Sequence, residues 1–331
     1  MSVGRELALL SVVAPVYQEE QTIDRFCATV ADALTGIPYE LILVDDGSTD
    51  GTGAALERLA GADQRIKLVL LSRNFGHQAA LTAGLDHAAG NVTVTLDSDL
   101  QDPPSLIPTL LERWRAGADV VYAVRRARAG ESRFKLRTAK LFYRIFRSLS
   151  SVELQPNSGD FRLFDRRVLD ALMSMRERSR FLRGMSIWVG FTQDSVAYDR
   201  DARYAGKTKF TLGRMMRFSL DAIASFSYRP LQLATALGFL ISGIAFIAIP
   251  VVIVLKIVGD YLYGFSTVEI TMLLLGGIQL ITIGMIGEYV GRIFDEVKGR
   301  PLYLVRSRQN FDGRGPTSAY EREAADFDAE R

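Results

Sequence analysis

Asp97 and Asp99 stand one residue apart in Val94-Thr95-Leu96-Asp97-Ser98-Asp99-Leu100-Gln101-Asp102, after an apolar, β-branched run and just before Pro103 and Pro104. Such a run reads as a buried strand that ends in a loop. In open α/β sheets ligands bind at the carboxyl ends of strands, and two hard oxygen donors there suit a divalent cation that also holds a diphosphate. Asp-x-Asp is also a common turn sequence, so the pair needs company before it counts as a site. Further polar clusters supply it: Gln18-Glu19-Glu20, Asp45-Asp46-Gly47-Ser48, Ser72-Arg73-Asn74 and Ser158-Gly159-Asp160-Phe161-Arg162.

Most of these clusters follow candidate strands. Residues 9–17, the run from 39 to the acids at Asp45 and Asp46, 66–71, 92–96 and 118–125 read as strands, and 23–34, 53–59, 79–89 and 104–114 as helices. Strands alternating with helices at this spacing imply an α/β fold with a mainly parallel, doubly wound sheet, which puts the clusters after its strands on one rim.

The composition sets bounds on function. Lys+Arg 40 against Asp+Glu 38 leaves a net charge of +2, which excludes the global basic field of a nucleic-acid binder. Cys27, the single cysteine, excludes an internal disulfide and, with no Cys/His cluster, a zinc site. Residues 7–16 are too short to span a bilayer and contain Pro15, so they read as a strand and not a signal peptide.

Further along, 231–255 carries no charge and has the length of a bilayer-spanning helix, with Pro250 tolerable inside it; a second span reads from about 267 to 290. Before them, Arg214 and Arg217 among Met215, Met216, Phe218 and Ile223 read as interfacial amphipathic helices. Arg292, Lys298, Arg300, Arg306 and Arg308 follow the second span, so the positive-inside rule places both chain ends in the cytosol. A basic, aromatic-interleaved segment over 126–147 has a solvated face that also suits phosphates or a lipid surface. The expected division is a catalytic domain over 1–210, juxtamembrane helices over 211–229, transmembrane helices over 230–257 and 267–290, and a cytosolic tail over 291–331, disordered from about Asn310.

In order along the chain, Val13-Ala14-Pro15-Val16-Tyr17-Gln18-Glu19-Glu20, Val44-Asp45-Asp46-Gly47-Ser48-Thr49-Asp50, Arg73-Asn74-Phe75-Gly76, Leu96 to Pro104 and Gly159-Asp160-Phe161-Arg162-Leu163 resemble the family 2 glycosyltransferases of the GT-A fold. The likeness is greatest to polyprenyl-phosphate glycosyltransferases such as dolichol-phosphate mannose synthases and bactoprenol glucosyltransferases. Gln18 stands where that family usually has Asn, Ser98 where Ala is common and His77 where Lys is frequent; no functional carboxylate is lost.

The resemblance implies an inverting transfer of a hexose from a nucleotide sugar to a polyprenyl phosphate, on the cytosolic face of the plasma (inner) membrane. UDP-glucose and undecaprenyl phosphate are the expected substrates, and GDP-mannose is an alternative donor. It implies a base and ribose platform of Pro15, Tyr17, Glu19, Val44 and Asp46, and a nucleotide-sugar and metal segment of Asp97, Ser98 and Asp99. Asp97, Asp99 and Gln101 would lie near Mg²⁺ or Mn²⁺. Asp160 is implied to face the acceptor, as base or as positioning group; a structural pairing with Arg162 is its alternative. Arg125, Arg162, Arg203 and Lys209 are assigned to the phosphates, whereas His77 and His87 read as surface or cap residues. Gly276, Gly277, Gly284, Gly287 and Gly291 permit close helix packing, and the family's tetramers imply a homo-oligomer. A processive polysaccharide synthase and a non-catalytic nucleotide-sugar-binding membrane scaffold are the competing classes. The first usually carries more spans, and the second has no use for both acids, Asp160 and the cations together.

Overall fold

The structure, a computed structural model, describes residues 5–126, 158–199, 229–258 and 265–311. Its sheet is built from β1 (Leu10–Val16), β2 (Tyr39–Asp45), β3 (Ile66–Leu71), β4 (Val92–Thr95), β5 (Val120–Arg125), β6 (Ser158–Asp165), β7 (Gln193–Tyr198) and β8 (Val305–Gln309), in the order β7-β5-β6-β4-β1-β2-β3-β8. Pairings β1–β2, β1–β4, β2–β3 and β5–β7 are parallel, and β3–β8, β4–β6 and β5–β6 are antiparallel, so the sheet is mainly parallel.

Helices cover both faces, which is why β1 and β2 are apolar along most of their length and wholly buried. On one face Leu10, Val12, Ala14, Leu41 and Leu43 join a core with α1 (Ile23–Ala33), α2 (Thr52–Ala62) and α4 (Ile107–Arg115). The alternate residues Val13 and Val44 meet α3 (His77–Asp86) at Gly84. A Cβ on Gly84 would lie 2.3 Å from Val13 Cγ1, so the approach of helix to sheet requires glycine there.

Two short helices, α5 (Arg166–Ser174) and α6 (Leu182–Trp188), follow β6. Asp165 starts α5 as its N-cap, its carboxylate accepting from the Arg167 backbone N–H at 3.1 Å. β6, β7 and β8 are not visible to sequence periodicity. In the sequence the start of β6 shows as a polar cluster and β8 as part of the tail.

The described residues fall into two compact units: the sheet with its helices, which takes in 300–311, and a second unit holding α7 (Arg229–Val258) and α8 (Phe265–Val297). Helix α7 contains the charge-free run 231–255 with Pro250 inside it. Among the described residues, one helical segment, Leu274–Val297, is long and apolar enough to cross a membrane. Phe239, Ile244 and Phe246 on α7 and Met272, Leu280 and Ile281 on α8 are exposed. Residues 211–228, expected to form interfacial helices, lie outside the described residues.

Candidate active site

Strand direction decides what gathers on the rim. β1 to β4 run in parallel, so Tyr17, Asp46, Arg73 and Asp97 leave the sheet on the same side. β6 runs against β4, with Val94 opposite Leu163 and Thr95 opposite Arg162; continued by two residues, this register sets Asp160 across from Asp97. β5 and β7, parallel to each other and antiparallel to β6, bring Arg125 and Tyr198 to that rim.

The acidic segment is held from beneath. Leu96 N–H donates to Val13 O, and the buried Ser98 hydroxyl donates to Pro15 O at 3.0 Å, fixing the loop to β1. Asp99 accepts from the Gln101 backbone N–H at 3.2 Å, and Leu100 between them has φ +56, a left-handed conformation costly for a leucine. The Asp97 carboxyl is pushed up to about 6, chiefly by burial and further by Asp160, Asp102 and Asp99, with His77 opposing. That surplus of negative charge suits a divalent cation, and carboxylate oxygens are its proper donors. Among the described residues no cluster of three or more His, Cys, Asp or Glu forms a closed metal cage. An ion here would share its coordination with substrate oxygens, as a magnesium-type site does.

Asp160 is nearly enclosed and makes a two-pronged ion pair with Arg183, at 2.8 Å to Nε and 3.0 Å to Nη2. His77 Nε2 lies 3.3 Å from Asp160 and 3.6 Å from Asp97, spanning the two acids. Burial alone would raise the Asp160 pKa, but the Arg183 charge and the hydrogen bonds from His77 and Arg183 hold it well below the usual carboxylate range. Burial lowers the His77 pKa, yet the hydrogen bond to Asp160 and the charges of Asp97 and Asp160 outweigh it and raise the value.

The partner of Asp160 is thus Arg183 and not Arg162. Arg162, 2% exposed, donates to Gly159 O, Arg183 O, Ser158 Oγ and Ser186 Oγ and lies over the Tyr122 ring. Burial brings its pKa down to about 10. In this arrangement it braces the strand behind Asp160. Arg125 is on the rim, ion-paired to the buried Asp102 at 3.1 Å and donating to Tyr198 Oη at 3.0 Å, while Tyr198 donates in turn to Asp102.

On the platform side, Tyr17 is 42% exposed and open to a stacking partner. Pro15 and Val44 are interior strand residues that offer only backbone. Glu19 closes the start of α1, its carboxylate accepting from Thr22 Oγ1. Asp46 accepts from the Phe75 and Gly76 backbone N–H groups at 2.7 and 3.0 Å, and burial raises its pKa against those bonds. Arg203 and Lys209 lie outside the described residues. Sequence reasoning missed the roles of His77, Asp102, Arg183 and Tyr198. Arg183 stands in Arg180-Phe181-Leu182-Arg183-Gly184, a stretch in which the sequence alone marks neither cation as a partner of Asp160.

Acids on the carboxyl rim of a mainly parallel sheet stand where open α/β sheets bind their ligands. Residues 11–173 match the family model described as glycosyl transferase family 2. A glycosyltransferase of Bacillus subtilis (strain 168), YkcC, is 44% identical over 92% of this chain and 95% of its own. The bactoprenol glucosyl transferase of Shigella phage SfX is 40% identical over 91% of this chain and 99% of its own. The chain belongs to glycosyl transferase family 2 and is a glycosyltransferase. Among solved structures, glucosyl-3-phosphoglycerate synthase from Mycobacterium tuberculosis, in complex with Mn²⁺, UDP and phosphoglyceric acid, is similar with a TM-score of 0.46. It is 23% identical, over 65% of this chain and 76% of that one.

Proposed function

We propose that this glycosyltransferase moves a hexose, glucose from UDP-glucose, to undecaprenyl phosphate at the cytosolic face of the membrane, with inversion at the anomeric carbon. The observation that carries the reading is the 40% identity, over 91% of the chain, to a bactoprenol glucosyl transferase. The Asp97 and Asp99 rim and the apolar helices α7 and α8 agree with it. A lipid phosphate stays at the interface, so an enzyme anchored there gains effective concentration of its acceptor.

In this reading an acceptor phosphate oxygen attacks the anomeric carbon, the bond from that carbon to the nucleotide diphosphate breaks, and UDP leaves with the electron pair. A Mg²⁺ or Mn²⁺ ion held by Asp97 and Asp99, with Gln101 beside them, would supply Lewis-acid neutralisation of the leaving diphosphate. Tyr17 offers a surface for the base. A phosphate monoester has its second pKa near about 6 and arrives largely ionised, so no base is required. Asp160, held ionised by Arg183, is a poor proton acceptor at neutral pH. Its work is to position His77 and Arg183 beside the donor sugar and the incoming anion.

Two spanning helices, α7 and α8, fix the domain to the bilayer in this scheme, and homo-oligomers form through the glycines of α8. The test is incubation of membranes holding the full chain with labelled UDP-glucose, followed by chloroform extraction. An acid-labile monosaccharide lipid is expected, and Asp99→Ala abolishes it while leaving folding and insertion intact. Transfer from GDP-mannose instead, or unchanged turnover by Asp99→Ala, overturns the donor or the metal assignment respectively.

A further inference from the structure

A recess of about 710 Å³ on the same rim is lined by four arginines, Arg73, Arg178, Arg180 and Arg300, together with His77 and Gln78, and no carboxylate is among its lining residues. Its walls are the turn after β3, the first turn of α3, the segment before α6, and residues 300–304 leading into β8. Arg178 Nη1 donates to Arg300 O at 2.8 Å and ties two of these walls together.

Arg180 is the unusual member. It is 8% exposed, and its Nη2 donates to Leu172 O at 3.0 Å, while Nε and Nη1 have no hydrogen-bond partner. Burial lowers its pKa, with Asp86 and Glu177 opposing and Arg176 adding to the shift. Buried donors without acceptors cost about 1–3 kcal/mol each, and folded proteins rarely keep them without something to satisfy them. A guanidinium cluster with unused donors matches the oxygens of a phosphate ester.

We propose that this recess binds the phosphate group of a lipid, and that the lipid is the acceptor. The assignment deepens the proposed function and rests on it for the acceptor's identity. Two features place an acceptor here and not the donor. His77 and Gln78 line the recess and also reach Asp160, at 3.3 and 3.5 Å, so an anion bound here sits beside the reacting side of the site. Phe75, the aromatic ring of the lining, already carries the Arg73 guanidinium over one face at 4.3 Å, which competes with a nucleotide base for that ring. Along the chain, Arg300 stands three residues after Val297, the last residue of α8.

The experiment uses the full chain in phosphatidylcholine nanodiscs doped with undecaprenyl phosphate or with phosphatidylglycerol, with bound lipid counted by native mass spectrometry in the absence of any nucleotide sugar. Arg73 and Arg300 are exposed, so Arg73→Gln/Arg300→Gln is expected to fold, which an unchanged thermal midpoint confirms. It should weaken retention of undecaprenyl phosphate about tenfold, leave UDP-glucose binding unchanged, and be largely rescued by Arg73→Lys/Arg300→Lys. Loss of phosphatidylglycerol alone would assign the recess to bulk phospholipid and overturn the acceptor claim. Unchanged retention of both lipids would overturn the site itself. Lipid binding is read without donor and transfer is read separately with labelled UDP-glucose: arginine-dependent lipid binding with no transfer in that assay would reject the proposed reaction and keep the recess, and transfer with lipid binding unaltered by the substitutions would do the reverse.

Discussion

Asp160, which is buried, and Arg183, whose side chain is 32% exposed, form an ion pair with two short contacts. Removing Arg183 strands the Asp160 charge while solvent screens part of the loss, so Arg183→Ala should cost about 1–3 kcal/mol. Urea unfolding of the full chain in detergent reads this, with Arg183→Lys recovering part of the loss. The Asp160 pKa is depressed in the folded state, so its contribution is complete above the ordinary carboxylate value of about 4 and is lost as pH falls through the lower folded value. The stability gap between wild type and Arg183→Ala should therefore narrow in acid. The acids that crowd Asp97 make a second expectation: Mg²⁺ or Mn²⁺ raises the thermal midpoint of the wild type by linkage, and Asp97→Asn abolishes that rise. His77 spans Asp97 and Asp160, and the resemblance puts Lys frequently at its position. Retained transfer is expected from His77→Lys, and about a tenfold fall from His77→Ala as one charge-assisted contact is lost.

At the scale of elements, the segment after α8 is an integral edge of the catalytic sheet. β8 pairs antiparallel with β3, Ser72 N–H donates to Leu304 O, and Tyr303 Oη donates to Asp86 at 2.7 Å. Asn310 ends the strand with φ +64, a conformation that asparagine tolerates, and its side-chain amide donates to Ala60 O and Ile66 O. Asn310→Ala should therefore destabilise the chain by about 1–2 kcal/mol, seen as a lower urea midpoint. Gly47, with φ +69, sits so close to the turn after β3 that a Cβ would lie 2.5 Å from Arg73 C. Gly47→Ala forces that turn away from Asp46, and loss of UDP-glucose binding along with stability is expected.

For the whole molecule, the proposed anchoring rests on the exposed apolar residues of α7 and α8 and on the cations after α8. Tags at residues 1 and 331 should both be protease-accessible in inside-out vesicles and protected in right-side-out ones; opposite accessibility would leave a single span. Much of this was legible in the primary sequence. The parallel strands β1 to β4 show as apolar runs closed by polar residues, because a strand buried on both faces needs continuous hydrophobicity. The acids show because they sit at the ends of those runs. Tertiary structure alone decided the rest. Only the antiparallel register of β6 on β4 brings Asp160 opposite Asp97, and only the path of the chain after β6 delivers Arg183 to Asp160 in place of Arg162. Pairing between distant segments depends on which edges meet in space, and a strand such as β8, Val-Arg-Ser-Arg-Gln, is held by its neighbour's backbone and not by a pattern of its own.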